Sequence, residues 1–187
     1  MRETLVIVAE ILLFIKKIKK LNVLRVFIIL MSNFLSKKLL SLNLNRKNKA
    51  TSLANYKPFI IFEKLIFISG QLPFEDNKLK FAGKIDTELS DEEVKQSVYL
   101  STNNLLWNLN DAIDKFKINR IKCINLKGYF NCTENFNNHS VLLDFSSNLL
   151  IKVFGETDGS HSRSVIGVNS LPKGSPIEID GIFGILD

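Results

Sequence analysis

Two periods of hydrophobic and polar positions run along the chain, and each assigns its own elements. Residues 5–15 and 21–30 are apolar runs broken by Glu10 and Arg25 and separated by Lys16, Lys17, Lys19 and Lys20. Neither run reaches the roughly 18 apolar residues a membrane span needs. Lysines stand where a secretory signal would place small residues. Three expectations stay open for residues 1–30: an amphipathic helix on a membrane surface, a poor signal anchor, or an extension upstream of a functional start at Met31. The third is favoured, and membrane contact is not. Apolar positions 34, 35, 39, 40 and 42 then give a short helical stripe over 32–42, with Ser32 as its N-cap. Residues 43–52 are polar and basic and read as a linker. Period two takes over at 58–62 and 65–68, two strands around Glu63-Lys64 with a hairpin pattern. Ser69-Gly70-Gln71-Leu72-Pro73 ends the second strand, Asp76-Asn77-Lys78 is a turn, and 83–88 is loop.

Ser90 opens the longest helix. Glu93 completes a capping box, and Asp91 and Glu92 lie on the positive end of the helix dipole. The helix runs to Lys115, with Val94, Val98, Leu105, Leu109, Ala112 and Ile113 as its buried stripe and Trp107 in the core. The strand over 119–129 places Ile121, Cys123, Asn125 and Lys127 on one face and Lys122, Ile124 and Leu126 on the other. After a loop over 131–139, a second helix spans 141–154 and stops at Gly155, a natural C′ residue. Residues 164–168 alternate as a strand, Leu171-Pro172-Lys173-Gly174 turns, and 176–180 is a further strand. The order β-β-α-β-α-β-β describes one α+β domain over 31–187, a mixed sheet with two helices on one face.

The turn over 171–174 suggests a hairpin-like return that brings Arg163 and Glu178 near each other. A fixed guanidinium beside a carboxylate can grip a small carboxylate substrate and carry a proton. The bland alternative is a surface ion pair, the usual outcome for one Arg and one Glu on neighbouring strands.

Charge narrows the partners. The net charge is +6, from 25 basic and 19 acidic residues. Residues 1–30 hold six of the basic and two of the acidic ones, so the remainder carries 19 against 17. A body that close to neutral has no electrostatic footprint for a phosphate backbone, which argues against nucleic acid. Cys123 and Cys132 are too few for a disulfide framework and suit small buried positions in a reduced cytoplasmic setting. His139 and His161 lack cysteines or carboxylates at metal-ligand spacing. No phosphate-binding glycine loop and no G-x-S-x-G elbow occurs, so metal, nucleotide and serine-hydrolase chemistry find no local signature.

Several motifs in order carry a resemblance. They are Asn55-Tyr56-Lys57-Pro58, Ser69 to Pro73, Val153 to Glu156, and His161 to Pro172. With these, the chain from Asn33 to Ile185 resembles the Rid family (YjgF-like, reactive-intermediate deaminases, also known as L-PSP endoribonucleases), closest to its longer-chain branch. The resemblance implies a chorismate-mutase-like fold assembled as a homotrimer, with clefts between subunits. It implies hydrolysis of enamines and imines such as 2-aminoacrylate and 2-iminobutyrate to 2-keto acids and ammonia, without a cofactor. By motif position, Arg163 matches the arginine that holds the substrate carboxylate, and Glu178 the glutamate that serves the attacking water. Tyr56 and Ser69 match cleft-lining positions. Two departures stand out. Val165 occupies the place of a cysteine in the best-studied branch, and an asparagine of that branch's site has no clear match. A non-catalytic trimer that binds small molecules or proteins is the alternative, and RNA cleavage a third function with no basic groove or aromatic series behind it.

Overall fold

The computed structural model describes residues 33–46 and 55–186. The readings of residues 1–30, the Ser32 cap and the linker from residue 47 onward lie outside them. Among the described residues no helix is long and apolar enough to cross a membrane. The elements are α1 (Phe34–Ser41), β1 (Phe59–Phe62), β2 (Leu65–Gln71), β3 (Phe74–Glu75), β4 (Lys78–Leu79), α2 (Asp91–Phe116), β5 (Ile121–Asn131), α3 (His139–Gly159), β6 (Ser162–Val168) and β7 (Ile177–Ile185), with a 3-10 turn at Pro172–Gly174.

α1 is capped by Asn33, whose Oδ1 accepts from the Ser36 N–H at 2.9 Å. The chain after α1 is tied to α2 through Trp107, whose Nε1 donates to the Leu44 carbonyl at 3.1 Å. Arg46 lies over the same indole, 4.9 Å from its centroid, and its guanidinium forks onto Asp111 at 2.9 and 2.8 Å. α2 carries the expected capping box, with Ser90 and Glu93 bonded reciprocally, and every residue of its expected stripe is buried. α3 runs on past Gly155. That glycine has φ +81°, as a C′ residue should, but the chain winds one more turn before β6.

The main sheet has the order β1-β2-β7-β5-β6, and β3-β4 form a separate hairpin. β5 and β6 are parallel, and the other neighbours are antiparallel. A parallel pair needs a crossover, and α3 supplies it. α2 and α3 cover one face of the sheet, with Thr102 and Ser146 hydrogen-bonded between them at 2.8 Å in the interior. Gly128 lets α3 approach β5: a Cβ there would stand 2.7 Å from the Leu143 side chain.

Two expectations are corrected. β6 does not return as a hairpin on β7, because β5 lies between them. The end of β5 is pinned on both sides. Its Asn131 N–H bonds the Pro176 carbonyl, while the adjoining Cys132 N–H bonds that of Val168. The connection over 169–176 therefore steps across β5 instead of turning back. The second correction is at Ile124. A bulge between Cys123 and Asn125 shifts the alternation by one residue. Leu126, Gly128 and Phe130 consequently join Ile121 and Cys123 on the helix-covered face, and Ile124 turns to the other.

Candidate functional site

The uncovered face of the sheet holds Glu178. Ile177 and Ile179 on either side of it are buried in the core, so alternation sends Glu178 the other way. Its partner across the ladder is Tyr129 on β5. The Glu178 side chain lies against β2 over Gly70, where a Cβ would stand 1.6 Å from its Oε1. Only a glycine leaves room for the carboxylate in that position. Burial lifts the Glu178 pKa above the ordinary 4.5, and the neighbouring Asp180 carboxylate lifts it further. Asp180 accepts from the Tyr129 hydroxyl at 3.0 Å and has the Lys127 ammonium 3.7 Å away. Burial first, then Asp180 and Glu178, push the Tyr129 phenol up to about 12, so it stays a donor.

Ser69 precedes Gly70, and it ties the motif around Tyr56 to β2. Its Oγ donates to the Lys57 carbonyl at 2.7 Å and its N–H to the Pro58 carbonyl at 3.0 Å. Tyr56 is 46% exposed beside this anchor. The fold thus brings Glu178 against Gly70, next to Ser69, from stretches more than a hundred residues apart in sequence.

Arg163 stands elsewhere. It pairs with the buried Leu126 across β6 and β5, so its side chain leaves the helix-covered face at the sheet edge. Its Nη1 lies 2.6 Å from Asp144 Oδ1 and donates to Ser147 Oγ at 3.0 Å, and its Nη2 reaches the Ser140 carbonyl at 3.4 Å. All three partners are on α3. Ser147 is also 3.1 Å from His161 Nε2, and His161 Nδ1 is 2.6 Å from the Gly159 carbonyl oxygen. One chain does not bring Arg163 and Glu178 together: β5 separates their strands and they leave opposite faces. Sequence reasoning missed Tyr129, Asp180, Asp144 and Ser147. The first two needed the strand register, and the last two needed the packing of α3 on β6.

Both cysteines are buried free thiols. Burial pushes Cys123 up to about 12, and burial followed by the charge of Asp86 raises Cys132. A groove of about 760 Å³ lies between α2, α3, residues 43–46 and the β3-β4 hairpin, and none of the four motif residues lines it.

A family described as "YjgF/chorismate mutase-like, putative endoribonuclease" matches residues 36–179. Protein TCP17 of Trypanosoma cruzi is 26% identical over 134 residues, 71% of this chain and 82% of that protein. The crystal structure of Atu1372, a protein of unknown function from Agrobacterium tumefaciens, is 29% identical with a TM-score of 0.71, covering 86% of this chain and 98% of its own. A "putative endoribonuclease" from Shewanella oneidensis is 28% identical with a TM-score of 0.72, covering 81% and 98%.

Proposed function

This chain belongs to the YjgF/chorismate-mutase-like family, and from that premise we propose that it hydrolyses reactive 2-imino and 2-enamino acids to 2-keto acids and ammonia. The observation that carries the proposal is a carboxylate already held by Arg163. Asp144 Oδ1 sits 2.6 Å from Nη1, and its side chain is 55% exposed. A guanidinium fixed by α3 and paired with an exposed carboxylate is a ready anchor for a substrate carboxylate that displaces Asp144.

An iminium carbon is electrophilic from the start. Hydrolysis therefore needs a placed water and a proton carrier more than a strong nucleophile. Glu178 suits the carrier, since its raised pKa keeps a proton nearer to neutral pH than an ordinary carboxyl does. Water adds to the imine carbon, a proton reaches the nitrogen, and ammonia leaves as the keto acid forms. Tyr56 and Ser69 line the cleft. No cofactor takes part.

Arg163 and Glu178 meet only if two chains contribute to one site, so the reading includes a homotrimer with sites between subunits. What supports this is the uncovered sheet face. Ile60, Phe62, Phe67, Ile124 and Ile166 are exposed on it, and β-sheet faces of that character are normally covered by a partner. Free thiols suit a reducing compartment, and we place the activity in the cytoplasm.

The test is calorimetric titration of 2-ketobutyrate, alongside release of 2-ketobutyrate from 2-iminobutyrate generated in situ. Arg163→Ala should weaken keto-acid binding by about 30- to 1,000-fold, the loss of a charge-assisted forked pair worth roughly 2–4 kcal/mol. Arg163→Lys should restore only part of it. Wild-type release no faster than buffer across several imines would end the deaminase reading. The hold of Asp144 on Arg163 also favours a second reading, a trimer that binds 2-keto acids without turnover. Thermal stabilisation by keto acids in the absence of any turnover would select it.

A further inference from the structure

Ser147 and His161 have no chemical step in the hydrolysis above, yet their geometry is that of an activated hydroxyl. His161 Nδ1 lies 2.6 Å from the Gly159 carbonyl oxygen. A carbonyl oxygen only accepts, so the proton is on Nδ1, and in the neutral ring Nε2 is a bare acceptor. Nε2 stands 3.1 Å from Ser147 Oγ, so the serine proton points at it. Arg163 Nη1 donates to the same Oγ from 3.0 Å. The hydroxyl thus has a base at its proton and a cation at its lone pair, and both favour the alkoxide. Ser147 sits on a regular stretch of α3 between the buried Ser146 and Leu149, so its position is held by the core. Neither Ser147 nor His161 is enclosed: both are half-buried. A nucleophile, a base within reach of it, and a third group that fixes the base's tautomer are what covalent catalysis requires.

We infer that Ser147 is a nucleophile for acyl transfer, with His161 as its general base. The substrate class is a small ester that carries a carboxylate. That carboxylate would take the place of Asp144 on Arg163. Ser147 Oγ bonds to the acyl carbon while its proton passes to His161 Nε2. The ester C–O bond breaks as Nε2 returns that proton to the leaving alcohol. Water, deprotonated by the same nitrogen, then cleaves the acyl-serine and restores the hydroxyl. The sum is ester plus water to acid plus alcohol, and nothing else is consumed. The inference does not depend on imine hydrolysis, and a protein without that activity could still show this one.

The experiment uses the full chain and an alkyl fluorophosphonate, which phosphonylates an activated serine with loss of fluoride. Intact mass and peptide mapping read the product. The expected result is one adduct per chain, on Ser147, absent from Ser147→Ala and formed about 100-fold or more slowly in His161→Gln. In parallel, mono-4-nitrophenyl succinate should release a burst of nitrophenolate faster than the neutral 4-nitrophenyl acetate does. No adduct on the wild type, under conditions that fully label a known serine hydrolase, overturns the inference. So does an adduct on another residue, or labelling of a folded His161→Gln at the wild-type rate. Equal bursts from the two esters overturn the assigned substrate class.

Discussion

Glu178 shows how one side chain is tuned by its neighbours. Gly70 opens the space, partial burial against β2 removes water from the carboxyl, and Asp180 adds a like charge. The folded state therefore holds the Glu178 proton more tightly than the unfolded chain does. The associated stability is fully present below the unfolded value of 4.5 and is lost as pH rises through the folded pKa. Glu178→Gln has no charge to bury. It is expected to melt above the wild type at about pH 8, with the gap closing as pH falls through that window. Thermal unfolding followed by circular dichroism across the range checks this. A gap that stays constant with pH would assign the effect to packing instead. Arg163 and Glu178 could be singled out as candidates from their motifs. Their surroundings were not, because Asp144, Ser147, Tyr129 and Asp180 reach them only through tertiary contacts.

At the scale of elements, α2 and its junctions carry much of the local information. The capping box at Ser90 satisfies backbone donors that would otherwise have no partner at the helix start. Ser90→Ala should cost about 1 kcal/mol, read as a lower urea midpoint with an unchanged slope. The contact of α3 with β5 is more sensitive to volume. At Gly128 a methyl group would meet Leu143 at 2.7 Å, and Leu143 is fully buried. Gly128→Ala should therefore lose about 1–3 kcal/mol by overpacking, and should lose less when introduced into Leu143→Ala, where the clashing side chain is gone, than when introduced into the wild type. An equal cost of Gly128→Ala in the two backgrounds would show that the helix does not press on the strand there. Gly155 was legible as a break, and its positive φ kinks the helix there, but α3 does not stop at it and runs to Gly159. The extra turn after it was not legible, since the distance left to β6 is set by where the sheet lies.

For the whole molecule, the two sheet faces pose different problems. Helices α2 and α3 cover one. The other exposes Ile60, Phe62, Phe67, Ile124 and Ile166 around the Glu178 cluster. If neighbouring copies cover it, light scattering should give three times the 21.3 kDa chain mass. Phe67→Asp, at an exposed position on β2, should then shift the population to monomers, because a buried carboxylate without a partner is costly. If the site draws on two chains, Phe67→Asp should also abolish turnover. A wild type that is monomeric at all concentrations removes the shared site, and a Phe67→Asp trimer removes this face as its interface.

Local patterns were enough for the identity and order of nearly every element. Capping residues, turn residues and the two hydrophobic periods act within a few positions of one another, so the sequence alone carries them. The α+β class with two long helices on one face followed from that order. Strand adjacency did not follow, because pairing depends on which edge is left open once the crossover helix has docked. β5 claims both β6 and β7, and the hairpin suggested by Leu171 to Gly174 gives way to a step across it. The bulge at Ile124 is of the same kind: alternation within 119–129 is unbroken in the sequence, and only pairing with β7 shifts it. Packing likewise decided that Arg163 faces α3 while Glu178 faces the open side, and that His161 reaches a serine on the preceding helix. Side chains far apart along the chain become neighbours through the burial of apolar surface, which ranks whole arrangements rather than single residues.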